Sequence, residues 1–383
     1  MIDSLDVQKR YGLRRPNFLL NPLSDEDAEF FADRSDVNVG NILDSLQIDL
    51  ATGVSPKRLV WGPYGGGKTH TLLHTMKRLS RLTPVHPVYV ECPDLSKRAS
   101  FLDLYREGIM RALRQDFVLD LFEKTRDKVG YAKREELLKK LKESFLDEEL
   151  AKAVAILIDP TEQKRLLLWS WFSGVSVPRS DLADLGQTQD LSNAEPARLA
   201  QNITIVGKLV KELENKTLII ILDEIDRLRS VGVETIVQFQ TAFTRLMDPN
   251  QNHVSLLVGL SAQNMADLPE LFQDRTPVTS RLGKDAILQI NYLDDVEVEP
   301  FIKKIVSFIR DTTSPIDDLL KKAKDSASEK VDADLFPFTE EAIQALKLSL
   351  QREMTPREIT LKMTRAAGKA HNHGKPVISS DVF

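Results

Sequence analysis

Three consecutive glycines, Gly65 to Gly67, constrain this chain more than any other feature of its sequence. Glycine weakens helices and strands, so such a run is typical of a loop whose backbone leaves no room for side chains. The stretch PKRLVWG before it is typical of a strand, and KTHTLLHTMKRLSRL after it has the periodicity of an amphipathic helix. The sequence therefore predicts a strand, a bare turn and a helix in immediate succession.

A lysine and a threonine follow the glycines, and together they complete the pattern G-x-x-x-x-G-K-[ST] of a P-loop. In such a loop successive backbone N–H groups point at phosphate oxygens, and the following helix adds its positive end. Lys68 would reach the β- and γ-phosphates, and the Thr69 hydroxyl would ligate Mg²⁺. We therefore predict that ATP and Mg²⁺ bind here. The nucleotide-binding residues are Gly62, Pro63, Tyr64, Gly65, Gly66, Gly67, Lys68, Thr69 and His70.

A second motif, LIIILDEID, places two acids directly after a continuous apolar stretch. A buried strand of this kind delivers Asp223 and Glu224 to its carboxyl end, which is where ligands bind in open α/β sheets. Asp223 is expected to hold Mg²⁺ through water. Glu224 is expected to act as the catalytic base that polarises the attacking water.

Further apolar strands alternate with helices up to about residue 295, and only helices are expected beyond it. This alternation is typical of a parallel sheet covered by helices on both faces. The long gap between Lys68 and Asp223 exceeds what a compact α/β core needs, so we expect a helical insertion at about 120–200. The predicted domains are an N-terminal arm (1–38), an α/β nucleotide-binding core (39–295) and a helical lid (296–383).

The two motifs together resemble those of the AAA+ ATPases, and the segment TSRLGKDAILQINY resembles the initiator and origin-recognition clade of that superfamily. The resemblance implies an arginine finger at Arg281 and a sensor-2 arginine at Arg357 in MTPREIT. In LLVGLSAQN it implies a sensor-1 residue among Ser261, Gln263 and Asn264, of which we select Asn264 as catalytic. The clade's box before the first core helix is matched by Arg34.

Within the expected insertion, LLLWSWFSG is similar to a Trp-rich stretch of ATP-binding proteins of BREX-type phage-exclusion systems. Trp169 and Trp171 are interpreted as core anchors of the insertion, with a partner-binding or base-stacking surface as the alternative. The N-terminal RYGLRRPNF leaves three interpretations open: a solvated arm, a cover over the adenine, or a contact with nucleic acid. The basic run KKAKDSASEK is interpreted as a solvated linker.

Composition restricts the partners, disulfides, metal sites and membrane spans that the chain can have. The formal net charge of −5 gives no overall basic signature for nucleic acid, although a local basic face stays open. A single cysteine, Cys92, excludes an internal disulfide and a cysteine-rich zinc site. His70 and His74 have metal-ligand spacing but lack a third ligand. Apolar runs shorter than about 20 residues exclude a membrane span, and the expected location is the cytoplasm.

We therefore predict an AAA+ ATPase that hydrolyses ATP to drive oligomer assembly or a conformational change on DNA or a protein partner. The resemblance implies a homo-oligomer and a setting in bacterial genome maintenance or phage defence. One alternative is a signal-transducing P-loop switch that hydrolyses slowly and recruits a partner through the insertion. A small-molecule kinase is disfavoured because no acceptor pocket with its own base is evident.

Overall fold

The computed structural model describes residues 4–32, 34, 39–94, 100–130, 133–248, 253–273, 275–282, 286–350 and 354–383. Five strands form one sheet in the order β2-β3-β4-β1-β5. They are β1 (Lys57–Gly62), β2 (Val85–Glu91), β3 (Thr217–Asp223), β4 (Val254–Ser261) and β5 (Ile287–Gln289). This sheet with its helices confirms the predicted α/β class with a parallel sheet and additional helical parts.

The central strands are buried along almost their whole length because their sequences are nearly all aliphatic. β2 and β3 pair in parallel with Glu91 opposite Asp223, and β3 and β4 pair in parallel with Leu218 opposite Val254. A parallel strand covered on both faces needs apolar residues at consecutive positions, which explains the absence of alternation in LIIIL.

The described residues form helices before, between and after the strands. They are α1 (Ser4–Tyr11), α2 (Val39–Ala51), α3 (Lys68–Leu82), α4 (Phe101–Asp103), α5 (Arg111–Leu113), α6 (Gln115–Val129), α7 (Arg134–Phe145), α8 (Glu148–Val154), α9 (Glu162–Phe172), α10 (Arg179–Asp184), α11 (Pro196–Glu214), α12 (Val233–Leu246), α13 (Asp295–Ile309), α14 (Ile316–Ser326), α15 (Glu340–Leu350) and α16 (Pro356–Asn372).

Two helical predictions need correction. The sequence predicts one helix over FLDLYREGIMRALRQDF, but Leu104–Met110 forms a π-helix and Arg114 breaks the run with a φ of +69°. The stretch KKAKDSASEK is not a linker, because its first half lies in α14. Leu319 and Leu320 of α14 pack against a small apolar cluster around Phe336, so the neighbouring leucines outweigh the charged surface.

The chain forms two compact units. The first comprises Met1–Gly40, Gly62–Lys77 and Gln289–Phe383. Its core joins side chains of the N-terminal segment, such as Tyr11 and Phe18, to those of α13, α15 and α16. The solvated-arm interpretation of RYGLRRPNF is therefore wrong for its apolar residues, since each of these rings is fully buried.

The second unit comprises Asn41–Trp61 and Arg78–Leu288. One hydrophobic cluster runs through the sheet and the region 120–200 together, so the expected insertion shares its core with the strands. Trp171 is buried in this cluster and donates its indole N–H to the Gln189 carbonyl at 3.3 Å. Trp169 packs against the same cluster from a partly buried position. Trp171 is therefore a core anchor as interpreted, and Trp169 borders the same core.

Candidate nucleotide and phosphate site

The P-loop has a backbone that only glycine tolerates at two positions. Gly65 and Gly67 have φ values of +75° and +98°, a region that other residues rarely occupy. The N–H of Gly66 donates to the Pro63 carbonyl at 3.0 Å, and a Cβ on Gly66 would lie 2.9 Å from that oxygen. The three glycines therefore form a tight turn between β1 and α3 whose inner surface carries no side chain.

Lys68, the first residue of α3, is buried within this turn. Its ammonium donates to the carbonyls of Gly62 at 3.2 Å and Pro63 at 2.8 Å. The amine is thereby folded over the loop, next to the backbone N–H groups at the start of α3. A cation and a helix N-terminus on one bare turn suit a polyphosphate, so these residues fit the predicted nucleotide. Thr69 follows in the first turn of α3, where its hydroxyl oxygen is a suitable ligand for Mg²⁺.

The acidic motif follows β3 as predicted. Asp223 ends the strand almost completely buried, and it accepts hydrogen bonds from the Tyr89 hydroxyl at 3.2 Å and the Glu224 backbone N–H at 3.0 Å. Its carboxylate is thus held by two donors, one for each oxygen, which suits a ligand of a hard cation such as Mg²⁺. Burial is the first cause that raises the pKa of Tyr89, and the adjacent Asp223 carboxylate adds to it. The hydroxyl is therefore protonated and available as a donor.

Glu224 occupies the left-handed region, with a φ of +56°, and its carboxylate forms an ion pair with Arg227. Arg227 also pairs with Glu91 at 3.1 Å and donates to the Cys92 carbonyl. Burial raises the pKa of the Glu224 carboxyl, and the Arg227 guanidinium opposes this shift. The candidate base is thus held by a cation three residues further along the chain.

The three candidate sensor-1 residues lie at and after the end of β4. Ser261 ends the strand, its N–H donates to Asp226 at 3.0 Å, and its carbonyl accepts from Arg229. Gln263 is exposed. The Asn264 side chain caps the following turn by accepting from the Ala266 N–H at 3.0 Å. Within its own unit, Asn264 has this local structural role, and its selection as the sensor stays a prediction.

Arg281 is exposed at the end of a short 3₁₀ turn, Thr279–Arg281, and donates to the Pro277 carbonyl at 2.6 Å. Its hydrogen bond to a backbone oxygen of the described residues leaves the guanidinium accessible to another molecule. The assignment of Arg281 as the arginine finger stays a prediction. The neighbouring positions 283–285 of the segment TSRLGKDAILQINY lie outside the described residues.

Arg357, the predicted sensor-2 arginine, lies at the P-loop. In MTPREIT the threonine followed by proline and glutamate predicts a helix start, and Thr355 does cap α16 by accepting from the Glu358 N–H at 3.2 Å. Arg357, in the first turn, donates its backbone N–H to the Gly65 carbonyl at 3.3 Å. Its guanidinium lies over the Tyr64 ring, 4.9 Å from the centroid, and donates to the Tyr64 hydroxyl at 2.5 Å.

His70 has a different environment from the one we predicted for a nucleotide contact. Its Nε2 lies 2.5 Å from the Phe30 carbonyl, and its ring packs edge-on against the Phe30 ring. His74, one turn further along α3, places Nδ1 2.9 Å from the Ala28 carbonyl. The spacing of the two histidines thus serves to fix the N-terminal segment to α3. Arg34 belongs to this segment and donates to the Gly66 carbonyl of the P-loop at 3.1 Å.

Tyr89 and Arg227 were not predicted from the sequence. The parallel register of β2 with β3 places Glu91 beside Asp223, and Tyr89, two residues earlier, projects from the same face. That signal requires the register, which the sequence does not specify. Arg227 could have been found from its spacing of three residues from Glu224. Over the described part of the chain, no cluster of three or more His, Cys, Asp or Glu side chains could hold a metal ion.

No protein-family description and no curated protein sequence matches the chain. Among solved structures, the ORC2 protein of Aeropyrum pernix with ADPNP and ADP is similar at 12% identity and a TM-score of 0.46, covering 94% of this chain and 70% of that one. Drosophila ORC bound to DNA is similar at 10% identity and a TM-score of 0.44, covering 93% and 62%. A Walker-type ATPase of Pyrococcus abyssi is similar at 13% identity and a TM-score of 0.38, covering 91% and 73%.

Proteins of the origin-recognition type, which the motifs resemble, thus recur among the structures similar to this chain. Among the described helices, none combines the length and the apolar character needed to cross a membrane.

Proposed function

We propose that the protein is an ATPase that binds ATP with Mg²⁺ and hydrolyses it. The observation that carries this proposal is the P-loop itself, with positive φ at Gly65 and Gly67 and with Lys68 buried inside the turn. In a P-loop the lysine and the inward-facing backbone N–H groups bind the phosphates of a nucleotide. The proposed ligand is therefore a nucleoside triphosphate.

The roles of the residues follow from their chemistry. Lys68 and the backbone N–H groups of the loop would bind the β- and γ-phosphates, and Thr69 and Asp223 would hold Mg²⁺. Bound Mg²⁺ would neutralise charge on the phosphate oxygens. Glu224 would orient and deprotonate the attacking water. That both motifs act on one nucleotide is a proposal from the sequence, in which each motif follows a predicted strand.

We further propose that hydrolysis drives assembly or a change of shape of a cytoplasmic homo-oligomer that acts on DNA or on a protein partner. Arg281 would act as a finger toward the nucleotide of a neighbouring subunit. The proposed setting is bacterial genome maintenance or phage defence. The proposed domains are an N-terminal arm (1–38), a nucleotide-binding core (39–295) and a helical lid (296–383). The exposed guanidinium of Arg281 supports the oligomeric mechanism, because a group that acts in trans must be accessible.

The decisive experiment separates binding from turnover. Lys68→Ala should abolish tight binding of a fluorescent ATP analogue, since the turn would lose its buried cation. Glu224→Gln should still bind but should lose hydrolysis, because only the base is removed. Arg78→Ala and Glu234→Gln, at exposed positions of α3 and α12, are the matched controls and should behave as the parent. Parental hydrolysis by Glu224→Gln would show that the base is wrongly assigned.

Oligomeric catalysis has its own test. If Arg281 acts in trans, the ATPase rate per subunit should rise with protein concentration, and Arg281→Ala should bind ATP without hydrolysing it. A mixture of Arg281→Ala with Lys68→Ala should then recover part of the activity, because each variant supplies the half-site that the other lacks. A rate per subunit that does not depend on concentration, without recovery in the mixture, would contradict the finger.

The second candidate is a slowly hydrolysing nucleotide switch, which the ion pair between Glu224 and Arg227 favours. While it is bonded to this guanidinium, the Glu224 carboxylate is engaged and cannot orient a water, so hydrolysis would wait until the pair opens. Arg227→Gln should then raise the basal turnover several-fold without changing ATP affinity. If turnover falls instead, Arg227 supports catalysis and the switch loses its basis.

A further inference from the structure

The exposed tyrosine of the P-loop, Tyr64, lies in direct contact with the lid arginine. Its side chain is 68% exposed, yet its ring and its hydroxyl both contact Arg357. A guanidinium over an aromatic face is attracted by the negative π-surface, and the hydroxyl adds a hydrogen bond at the ring's edge. Tyr64 therefore restrains the guanidinium at two points.

The backbone around this contact is equally close. The Arg357 N–H reaches the Gly65 carbonyl, and a Cβ on Gly65 would lie 2.9 Å from the Arg357 Cβ and 3.2 Å from the Thr355 hydroxyl. Gly65 also has the positive φ of the turn, so two separate requirements exclude a side chain here. The first turn of α16 thus lies against the P-loop without space between them.

The electrostatics of this arrangement are unusual. Arg357 is the second residue of α16, where the positive end of the helix dipole disfavours a cation. The acidic residue in this first turn, Glu358, is exposed and offers only a screened counter-charge. A bound anion would therefore stabilise a guanidinium at this position, beside the P-loop, more than it would stabilise an arginine elsewhere on the helix.

From these contacts we propose that Tyr64 is a positioning residue that holds Arg357 docked on the P-loop, ready for the terminal phosphate of ATP. The proposal rests on the proposed nucleotide site and deepens it. Tyr64 keeps the guanidinium in place before the nucleotide arrives, so that binding does not have to order a long flexible side chain. Because ADP lacks the γ-phosphate, the Tyr64–Arg357 pair determines the preference for ATP over ADP.

The test is a double-mutant cycle on nucleotide affinity, measured with fluorescent ADP and a fluorescent non-hydrolysable ATP analogue. Tyr64→Ala should weaken binding of the ATP analogue about tenfold, the size expected for losing one cation–π contact and one hydrogen bond. ADP affinity should change less than twofold. Tyr64→Phe keeps the ring and should lose only about threefold. Tyr64→Ala combined with Arg357→Ala should bind the analogue no more weakly than Arg357→Ala alone, since Tyr64 acts through the arginine.

Three results would overturn the proposal: additive effects in the double variant, an equal loss for ADP, or tighter ATP binding by Tyr64→Ala. The last result would mean that the tyrosine competes with the nucleotide for the arginine. Thermal melting of each variant controls for folding, and the exposed position of Tyr64 predicts no loss of stability. Lys68→Ala separates this proposal from the one on which it rests. If that variant binds nucleotide as the parent does, the site itself is wrong, whereas a cycle without coupling rejects only the role of Tyr64.

Discussion

Lys57 is a buried cation whose replacement should change how stability depends on pH. It begins β1 with 7% of its surface exposed, and its amine donates to the Val254 carbonyl. Burial lowers the pKa of Lys57 to about 7, and the carboxylate of Asp248 only partly opposes this shift. In the unfolded chain the same amine titrates near 10.5. The folded protein therefore releases a proton near neutral pH that the unfolded chain retains.

The sign and size of the effect follow from linkage between protonation and folding. Between pH 7 and 10.5 the unfolded state binds more protons, so the free energy of unfolding rises with pH. The stabilisation is largest above about pH 10.5 and is lost as the pH falls to about 7. For these two pKa values, the free energy of unfolding rises by about 1.6 kcal/mol between pH 7 and 8.5. For the second compact unit, to which Lys57 belongs, this rise corresponds to a Tm increase of about 3–6 °C.

Thermal melting of the parent and of Lys57→Met at pH 7.0 and 8.5 tests this reasoning. Methionine has a similar length but no charge, so the variant should lack the gain and the Tm difference between the two proteins should change by about 3–6 °C. Lys139→Met, at an exposed position of α7, is the matched control and should follow the parent at both pH values. If Lys57→Met and the parent change in parallel with pH, Lys57 is not a buried titrating amine and the argument fails.

Three further predictions concern the site and the core. Tyr89→Phe removes a donor to Asp223 and should weaken binding of Mn²⁺ with an ATP analogue about tenfold, as measured by electron paramagnetic resonance, while affinity for metal-free nucleotide stays unchanged. Arg34→Ala removes a donor to Gly66 of the P-loop, so affinity for ATP and ADP should fall by a similar factor in equilibrium titrations, unlike the selective loss for Tyr64→Ala. Trp171→Ala should lower the free energy of unfolding by about 3–5 kcal/mol in urea, and a local effect confined to the region 120–200 would contradict the shared core.

The parts of the fold that sequence could predict are those set by local patterns. The period of KTHTLLHTMKRLSRL and the glycines before it predict a helix at the same residues as α3, and the apolar run before Asp223 predicts β3. Local composition gave wrong predictions where tertiary packing determines the structure. α14 was not predicted because its many charged residues suggested a solvated segment, whereas its leucines pack against Phe336. The break at Arg114 was missed because a positive φ at an arginine has no sequence signal.

The candidate site was predictable in its motifs but not in its contacts. Lys68, Asp223 and Glu224 were predicted from motif spacing, because a site for phosphate and Mg²⁺ would require those residue types. The partners do not follow, since Tyr89 reaches Asp223 through strand register and Tyr64 meets Arg357 across nearly three hundred positions of the chain. The contact that His70 makes was not predicted for the same reason. Its partner, the Phe30 carbonyl, lies in a segment whose packing only the tertiary structure specifies.

The way in which the chain divides into its two units has a consequence for synthesis on the ribosome. The unit with the P-loop needs the segment from Gln289 onward, whereas the other unit is complete once Leu288 has been made. Contacts between segments so far apart in sequence form late, because the intervening chain must first be ordered or closed into a loop. A nascent chain therefore contains the whole P-loop long before Arg357, which contacts that loop, has been synthesised. We expect the growing polypeptide not to bind nucleotide at the proposed site until α16 has emerged.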